Sequence, residues 1–394
     1  MTQQMELHTA KVADNNGGAG SRTTTLSIGA ITSFLSCRRK FWFRYIEHLE
    51  PLQRARPLGM GSAVHKGIEL LLDGKPPDEV EKGVLDAYSD EDLATDQYAP
   101  FDRLTAVEIL RAFTQNVDYR RWDVKGTEQY FNISLGHGDR VHSLWDGVIA
   151  FGGKLFILEN KIVADNGPDY QHRLLWDTQA GYYLLAAKEE GLEEKYGMPV
   201  AGILYNLVRK PSIKPYKATP VEQRKYTQPK FAKHEPCKGK GCGDCGKNNC
   251  NNPPDTPDGK MLVEPPRLYA NMNERDERPV EFAARVADWY RAQMDNIRNG
   301  IAPPDSSPFV QHFVYRNAAQ LEAIRVKFLQ LCSDLRKAKR EGAWYENPNA
   351  CSIMPCPFAS ICLEMTPEAV AGNFTKRDTA INDETTRKEN ALPF

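Results

Sequence analysis

The chain lacks the long apolar segments and the leader pattern that would assign it to several protein classes. Its 394 residues contain no run of about 18 apolar residues, so no membrane-spanning helix is expected. The first residues lack the basic-then-apolar pattern of a secretory signal, which argues against secretion. No phosphate-binding loop of the GxxxxGK(S/T) type is present, so any motor activity would come from a separate protein.

A charge excess is also absent, because 51 Lys and Arg residues nearly balance 52 Asp and Glu residues. A nucleic-acid partner therefore has to be argued from local basic patches. The composition is otherwise that of a folded globular protein, with 41% hydrophobic and 26% charged residues.

Composition divides the chain into five parts. Residues 1–25 are polar and Gly-rich and are predicted to form a disordered arm, and residues 371–394 a flexible tail. A folded core is predicted over 26–208, with a helical part at its beginning. Residues 209–275 are rich in Pro, Lys, Gly and Cys, which indicates an inserted subdomain, and helical patterns return within 276–370.

Hydrophobic periodicity predicts a mixed α/β core. The predicted helices are 31–48, 59–74, 168–190, 279–299 and 316–341, and the predicted strands are 127–135, 140–163 and 199–208. The first helix is expected to be capped by Thr32 or Ser33. Helices followed by a hairpin, a further helix and a further strand are typical of a mixed sheet flanked by helices.

The clearest local feature is a hairpin over residues 141–163. The pair Gly152–Gly153 lies between two apolar runs, which is a strong signal for a two-residue turn. That turn places Asp146 opposite Glu159, about 5 Å apart at their β-carbons. Lys161, two residues further along the strand, then points to the same face.

This charged trio has apolar neighbours on both faces of the hairpin, which indicates a central strand pair. Two facing carboxylates in such surroundings repel each other and lose solvation, and a bound divalent cation removes that conflict. Oxygen ligands suit Mg²⁺ or Mn²⁺. Lys161 would orient or help to deprotonate a bound water and offset negative charge. A salt-bridged cluster at a sheet end has the same spacing, so the spacing alone leaves both interpretations open.

The order of these residues resembles the RecB-like branch of the PD-(D/E)XK nuclease superfamily. That branch follows its Asp and its Glu-x-Lys triplet with Gln-x3-Tyr, which this chain matches with Gln179 and Tyr183. The two residues share a helix face, which in the family looks onto the metal and the DNA; ordinary helix packing is the alternative. The resemblance implies a restriction-endonuclease-like core with the catalytic residues Asp146, Glu159, Lys161, Gln179 and Tyr183.

The same resemblance implies the metal ligands. The family carries Gly-x3-His upstream of the hairpin, which Gly61 and His65 match. An isolated helical histidine is more often structural, and the ordered motifs around this one favour the ligand role. Glu128 lies where the family often has an acidic residue, and Trp145 replaces the proline that often precedes the catalytic Asp. The expected ligands are His65, Asp146, Glu159 and Asn160.

Four cysteines form a first group, and clustered cysteines indicate metal binding rather than disulfides. They resemble the ligands of iron–sulfur nucleases of this superfamily, such as the CRISPR adaptation nucleases and the AddB-type repair nucleases. The resemblance implies a 4Fe–4S cluster, with Zn²⁺ as the alternative, on Cys37, Cys351, Cys356 and Cys362. The C-x4-C-x5-C spacing departs from the more usual C-x2-C-x5-C, which leaves the role of Cys351 open. Such a cluster would join the N-terminal helix to the C-terminal part.

A second group of four cysteines lies inside the predicted insertion. Its surroundings have almost no apolar residues and cannot build a core, so a tetrahedral Zn²⁺ site accounts for it best. The expected ligands are Cys237, Cys242, Cys245 and Cys250, with a second iron–sulfur cluster or free thiols as alternatives. The ninth cysteine, Cys332, lies on an apolar helical face and is expected to be a core residue.

Two basic stretches are candidates for DNA contact. Residues 209–240 contain ten Lys or Arg against two acidic residues, with aromatic residues interleaved, which is typical of backbone contact combined with base stacking. A solvated linker would have the same composition. The helix predicted at 31–48 carries the second stretch. The expected contacts are Lys214, Lys217, Arg224 and Lys225 in the first stretch, and Arg38, Arg39, Lys40 and Arg44 in the second.

The resemblance implies a Mg²⁺- or Mn²⁺-dependent deoxyribonuclease, more specifically an exonuclease, in recombination, repair or phage DNA processing. The expected location is the cytoplasm of a bacterial or phage-infected cell. DNA is the expected partner, with a single-strand-annealing or helicase protein beside it, and ring-forming exonucleases of this fold leave a homo-oligomer open. The alternatives are a non-catalytic nucleic-acid-binding iron–sulfur and zinc protein and a purely structural cluster protein. The intact Asp146, Glu159 and Lys161 argue against the first of these alternatives, because a decayed nuclease need not keep all three.

Overall fold

The computed structural model describes residues 23–52, 56–233, 260–353, 356–364 and 372–376. The chain forms two compact units, one made of Met1–Ser212 with Arg285–Phe394 and the other of Ile213–Ala284. The second unit overlaps the insertion predicted over 209–275. None of the helices in the described ranges combines the length and the apolarity that a transmembrane helix requires.

Strands and helices occur in mixed order along the chain. The strands are β1 (Thr25–Ser27), β2 (Leu49–Pro51), β3 (Asp123–Gly136), β4 (Asp139–Phe151), β5 (Lys154–Val163), β6 (Val200–Arg209), β7 (Lys230–Lys233), β8 (Lys260–Glu264), β9 (Phe309–Val314) and β10 (Phe374–Lys376). The helices are α1 (Ile28–Ser36), α2 (Arg38–Phe41), α3 (Arg56–Leu72), α4 (Pro77–Asp86), α5 (Asp90–Thr95), α6 (Ala99–Asn116), α7 (Pro168–Leu174), α8 (Thr178–Glu189), α9 (Leu192–Tyr196), α10 (Pro279–Arg298), α11 (Ala318–Glu341), α12 (Pro348–Ile353) and α13 (Ala359–Glu364).

A six-stranded sheet forms the centre of the larger unit. Its strand order is β1–β4–β5–β6–β9, and β3 pairs with β4. The β1–β4 and β5–β6 pairs are parallel, and the other pairs are antiparallel. The predicted α/β class with a mixed sheet flanked by helices is therefore confirmed.

Helices cover both faces of this sheet. On one face α1, α8 and α11 pack against the apolar side chains of the strands in a single core cluster, which includes Cys332 as expected. On the other face Phe113 of α6 and Tyr290 of α10 pack against Phe309 of β9. The hairpin strands are thus buried on two sides, in agreement with their apolar composition.

Strand β4 changes its neighbour along one edge. It pairs with β5 from Gly147 to Phe151 and with β1 from Arg140 to His142, while β3 borders its other edge. Asp146 lies in the interval between the first two pairings. Asp146 therefore lies outside both of these ladders, at the point where the charged residues come together.

The predicted helix at 31–48 is interrupted at Cys37. The backbone of Cys37 is extended, and its sulfur accepts a hydrogen bond from the Lys40 N–H at the start of α2. A π-helical turn then follows over Trp42–Ile46. The predicted cap was also wrong: Ser27 caps α1, and the Thr32 hydroxyl instead donates to the Ile28 carbonyl inside the helix.

The predicted helix at 168–190 is also two helices. The chain turns between α7 and α8, and Asp177 begins α8 because its carboxylate accepts a hydrogen bond from the Gln179 N–H at 2.9 Å. After the interruption, the first turn of α8 lies beside Lys161 on the inner strand β5, and the Lys161 ammonium contacts Gln179.

Candidate active site

The hairpin turn fixes the register of the site. Gly152 and Gly153 both have positive φ angles, of 59° and 74°, which a two-residue hairpin turn requires. Phe151 pairs with Lys154, as predicted, and the ladder continues to Gly147 opposite Leu158. The ladder ends at that pair, so Asp146 and Glu159 are not paired in it, although the turn predicts that they lie opposite each other.

The Asp146 carboxylate bridges the two separating strands. Its Oδ2 accepts hydrogen bonds from the Asn160 backbone N–H at 2.6 Å and from the Asn160 side-chain amide at 3.2 Å. His65 Nδ1, from α3, lies 3.4 Å from the same oxygen. Burial alone would raise the pKa of Asp146, but the His65 charge and these hydrogen bonds lower it below its ordinary value.

His65 is the matching cation. Burial disfavours its protonation, but the adjacent Asp146 and, more weakly, Glu159 together raise its pKa to about 9. The structure therefore brings the predicted Gly-x3-His residue to the hairpin carboxylates. It places His65 against Asp146 as a hydrogen-bonding partner.

Glu159 is only 4% exposed. Burial is the largest influence on its carboxyl and raises its pKa to about 7; Lys161 acts against that shift and Asp146 adds to it. Its Oε1 accepts from the Lys161 ammonium at 2.6 Å. Its Oε2 is buried and has no hydrogen-bond partner among the residues that the structure describes. An unpartnered buried carboxylate oxygen is costly unless a ligand satisfies it.

Lys161 is held between two oxygens. Its ammonium donates to Glu159 Oε1 and, at 2.7 Å, to Gln179 Oε1. Burial opposes its charge, but Glu159 and Asp177 outweigh burial and raise the pKa of Lys161 above its ordinary value. Lys161 is thus an ammonium ion in this arrangement, suited to orienting a water and offsetting negative charge rather than to accepting a proton.

Gln179 and Tyr183 share one face of α8, as predicted. The Gln179 side-chain amide donates to the Tyr183 hydroxyl at 2.7 Å, and that hydroxyl donates to the Leu144 carbonyl at 2.7 Å. Tyr183 is only 3% exposed. Its hydroxyl therefore fixes Gln179, and through it Lys161, against β4.

Asn206, Tyr205 and Asp177 belong to the site but lie in no sequence motif that would have identified them. Asn206 on β6 is fully buried, and its amide donates to Asn160 Oδ1 at 2.8 Å. Tyr205 donates its hydroxyl to Asp177 Oδ2 at 2.8 Å. The signals available were a lone amide in the apolar run of β6 and an acidic residue just before a helix.

The Asn160 side chain is occupied by the protein itself. Its amide nitrogen contacts Asp146 and its amide oxygen accepts from Asn206. The side chain thus acts as a clamp that positions Asp146. The ligand role predicted for Asn160 stays a prediction, and a cation on its side-chain oxygen would share that oxygen with the Asn206 amide.

Glu128 lies beside Asp146 on the neighbouring strand. The pairs Thr127–Gly147 and Gln129–Trp145 flank it, so Glu128 faces Asp146 across β3 and β4. Its φ is +45°, which is rare for a residue with a β-carbon and is often found at functional sites. The expected acidic residue on the strand before the hairpin is thus present next to the site.

The donor set fits a hard divalent cation. Asp146 and Glu159 provide carboxylate oxygens in a buried setting, and Glu159 Oε2 lacks a partner. The side chains are not arranged as a closed cage: no group of three or more His, Cys, Asp or Glu side chains forms one within the described ranges. A site completed by water and by phosphate oxygens is the usual arrangement for Mg²⁺.

Among the first four cysteines, Cys362 lies within electrostatic reach of both Cys351 and Cys37. Burial raises the pKa of the Cys362 thiol, and the nearby Cys351 and Cys37 raise it further, while Arg39 lowers it. Cys356 and Cys362 pack against the apolar cluster around Phe43. All four thiols are free and no metal site is formed by them as they stand. The second predicted group, Cys237, Cys242, Cys245 and Cys250, lies outside the described residues.

The basic residues of the N-terminal helices are engaged by aromatic rings. The Arg38 guanidinium lies 5.0 Å from the ring centres of both Phe34 and Tyr345. Arg39 lies over Trp42 and 3.9 Å from Glu346, and Arg44 lies over Tyr45. Lys40 is half-buried beside them. These cations thus help to join the N-terminal helices to the segment after α11.

The predicted basic residues of the smaller unit also have internal partners. Lys217 pairs with Asp276 at 3.2 Å, and Arg224 donates to the carbonyls of Thr219 and Glu274. The backbone N–H of Lys225 donates to the Met272 sulfur. The Arg224 charge is not neutralised by carbonyls, so it remains available to an anion, whereas that of Lys217 is shared with Asp276.

Two comparisons with known proteins were informative for this site in different ways. No curated protein matches the chain. A family model described as the PD-(D/E)XK nuclease superfamily matches residues 25–363. The matched segment contains the hairpin carboxylates, Lys161, Gln179 and His65, and the chain therefore belongs to the PD-(D/E)XK nuclease superfamily.

Proposed function

We propose that this protein is a Mg²⁺- or Mn²⁺-dependent deoxyribonuclease, more specifically an exonuclease. The observation that carries the proposal is the buried pair Asp146 and Glu159, with an unpartnered oxygen on Glu159 and the Lys161 ammonium beside it. The oxygens of a buried carboxylate in a purely structural salt bridge usually both have hydrogen-bond partners. Membership of a nuclease superfamily supports the same interpretation.

Asp146 and Glu159 would hold the cation, with His65 beside Asp146. When bound, such a cation polarises a phosphodiester oxygen and makes a water more acidic. Lys161 would hold that water in line with the phosphorus and offset charge as the leaving oxygen departs. Asn160 and Asn206 keep the Asp146 oxygen in place, and Gln179 and Tyr183 do the same for the Lys161 ammonium.

We also propose that Cys37, Cys351, Cys356 and Cys362 bind a 4Fe–4S cluster with a structural role. Two observations support this proposal: Cys362 lies within electrostatic reach of Cys351 and Cys37, and the segments that carry the cysteines contact each other. The Asn347 amide donates to the Ser36 carbonyl, and β2 pairs with β10. Zn²⁺ on Cys237, Cys242, Cys245 and Cys250 remains a prediction from spacing alone.

The proposed setting follows from the substrate. DNA recombination, repair or phage DNA processing in the cytoplasm would supply linear DNA, and a single-strand-annealing or helicase protein would supply or use the processed strand. The charged Arg224 and the exposed Tyr226 in the smaller unit are candidate DNA contacts. A homo-oligomer of the ring type is a further proposal that rests on the fold alone.

The direct test is cleavage of end-labelled linear and closed-circular DNA with Mg²⁺ or Mn²⁺. Wild type and Lys161→Ala are compared with Lys154→Ala, which changes an exposed lysine at the other end of β5. Cleavage of linear DNA by wild type and Lys154→Ala, with loss in Lys161→Ala, supports the nuclease, and sparing of the circles supports an exonuclease. A folded protein that binds DNA without cutting any form would instead favour the non-catalytic alternative.

A further inference from the structure

We propose that Trp176 is a stacking site for an unpaired nucleobase of the strand that enters the active site, with Arg173 and Arg316 at its phosphates. The inference rests on the proposed nuclease function and specifies how the same site holds its substrate. The Trp176 side chain is 79% exposed. Single exposed apolar residues are common on protein surfaces. This indole differs because it is carried by a hydrogen-bonded turn that leads into α8 and the active site.

The backbone that carries Trp176 is rigid. Three successive N–H groups, those of Leu175, Trp176 and Asp177, donate to carbonyls of α7 at 3.0–3.1 Å. The Arg316 guanidinium donates to the Leu175 carbonyl at 2.7 Å. An aromatic side chain on a fixed backbone loses little conformational freedom when a ligand stacks on it, which favours binding.

The same turn leads directly into the active site. Asp177 caps α8 through the Gln179 N–H and accepts a hydrogen bond from Tyr205. Gln179 in turn contacts the Lys161 ammonium at 2.7 Å. Three residues of chain span roughly 10 Å at most. A stacked DNA strand advances about 3.4 Å per nucleotide, so the backbone of Trp176 lies within about three nucleotides of the backbone of Gln179.

Positive charge accompanies the indole. Arg173 is exposed, and its guanidinium lies 5.2 Å from the ring centre of Tyr170. Tyr170 is half-buried and within electrostatic reach of both Lys161 and Glu159. Arg316 is held at the turn and acts electrostatically on Tyr205. The acidic residue of α7, Asp169, lies at the far end of that helix, in its first turn.

These features fit single-stranded DNA better than a protein partner. A nucleobase offers a flat face of indole size, and its phosphates complement the two arginines. A base in a duplex is already stacked and paired, so an exposed indole is satisfied best by an unpaired base next to the bond that is cut. The structure thus favours recognition of a frayed or single-stranded end.

The test uses single-stranded oligonucleotides with 2-aminopurine at successive positions, bound to full-length Lys161→Ala protein so that they are not cut. We expect strong quenching of 2-aminopurine at one or two neighbouring positions. Adding Trp176→Ala should abolish the quenching and weaken binding about tenfold, whereas Trp176→Phe should keep both within about threefold. Phe151→Ala is the matched control, because it removes a partly exposed aromatic ring at the hairpin turn, away from Asp146.

An abasic substitution at the quenched position provides a second measurement. It should weaken binding to the Trp176 protein about tenfold and have no further effect on the Trp176→Ala protein. Equal quenching and equal affinity with and without Trp176 would overturn the proposal. So would a Trp176→Ala effect on oligomeric state alone with DNA binding intact, since that outcome makes the indole a protein contact.

The outcomes separate this proposal from the nuclease itself. Quenching that depends on Trp176, in a protein whose wild type cuts no DNA, would support the stacking site and overturn the nuclease. If wild type cuts DNA and Trp176→Ala changes neither cleavage nor quenching, the nuclease is supported and the stacking site is overturned. Absence of DNA binding under all conditions would overturn both.

Discussion

Asn206 shows how a residue outside the charged trio can control it. Its amide holds the Asn160 amide, and Asn160 holds the Asp146 oxygen through two hydrogen bonds. Residues that orient metal ligands in this way commonly change metal affinity or activity by about 10- to 100-fold when they are replaced. The Asp146 carboxylate, which is proposed to bind the cation, is thus positioned from the neighbouring strand β6.

Replacing Asn206 with Leu should therefore raise the Mn²⁺ concentration needed for half-maximal cleavage by about tenfold or more. It should also destabilise the protein by about 1–3 kcal/mol, because Asn160 Oδ1 is left buried without a donor. A metal titration of cleavage and a denaturant titration measure the two effects. Gln311→Ala alters the exposed residue paired with Asn206 on β9 and should change neither. An unaltered metal requirement in Asn206→Leu would show that the amide chain does not position Asp146.

The thiol of Cys332 allows a prediction about pH. Burial is the largest influence and raises its pKa to about 12; Asp139 adds to the shift and Arg336 opposes it. Because the thiolate is the reactive form, Cys332 should resist iodoacetamide at pH 8 and gain reactivity only near its own pKa. In cluster-free protein at pH 8 the exposed Cys351 should be alkylated and Cys332 spared until the chain unfolds. Peptide mass spectrometry measures the alkylation of Cys351 and of Cys332. Alkylation of both at similar rates in the folded protein would contradict the prediction.

At the scale of elements, α8 links the fold to the chemistry. Residues from Ala180 to Ala187 are buried, so the helix is fixed in the core, and its first turn carries Gln179 to Lys161. The start of this helix depends on Asp177, which serves both as its cap and as the acceptor for Tyr205. Loss of this one carboxylate should therefore affect stability and activity together.

We expect Asp177→Ala to cost about 1–3 kcal/mol of stability, from the lost cap and the unpartnered Tyr205 hydroxyl. Cleavage should also fall, because Gln179 and Lys161 lose their fixed geometry. Ser89→Ala is the matched control, since Ser89 caps α5 by the same kind of hydrogen bond, outside the catalytic network described above. Thermal melting and initial cleavage rates are compared for both variants. Equal cleavage by Asp177→Ala and Ser89→Ala, at equal fraction folded, would show that the start of α8 does not position Gln179 and Lys161 for cleavage.

Local signals predicted some elements well and failed at others. The hairpin register was predictable because Gly152–Gly153 and the apolar runs are contiguous in sequence. The breaks at Cys37 and before Asp177 were not, since each depends on partners distant in the chain: Arg39 N–H donates to the Tyr345 carbonyl, and Tyr205 donates to Asp177. The pairing of the short strand β1 with β4 likewise joins segments more than 100 residues apart, which no local pattern encodes.

At the scale of the whole molecule, the ends of the larger unit meet away from the hairpin turn. Segments near Ser36 and Arg39 contact those near Tyr345 and Asn347, and β2 pairs with β10. The ordered motifs Asp146, Glu159-x-Lys161 and Gln179 predicted the superfamily, which the match over 25–363 confirms. Whether the four cysteines Cys37, Cys351, Cys356 and Cys362 hold a metal was not decided by sequence spacing, because thiol geometry depends on how these two ends pack.

If the four predicted cysteines hold a cluster, its removal should loosen these ends and leave the catalytic hairpin intact. Anaerobic chelation should then lower the melting temperature of wild type, while Cys37→Ser should melt at the lower temperature with or without the chelator. Cys332→Ser changes a buried cysteine outside the group and is the comparison variant. Identical melting of wild type before and after chelation, with no visible absorbance in the anaerobic protein, would contradict a structural cluster.

The buried carboxylates Asp146 and Glu159 are expected to form a cation site. Electron paramagnetic resonance of Mn²⁺ measures it directly, without depending on a DNA substrate. Wild type should bind Mn²⁺, and Glu159→Gln, which keeps the side-chain shape and removes the charge, should weaken that binding by more than about tenfold. Glu322→Gln, at an exposed carboxylate of α11, should bind as wild type does. Equal Mn²⁺ affinity in wild type and Glu159→Gln would contradict a cation site at Glu159 and would mean that Glu159 and Lys161 form only a structural ion pair.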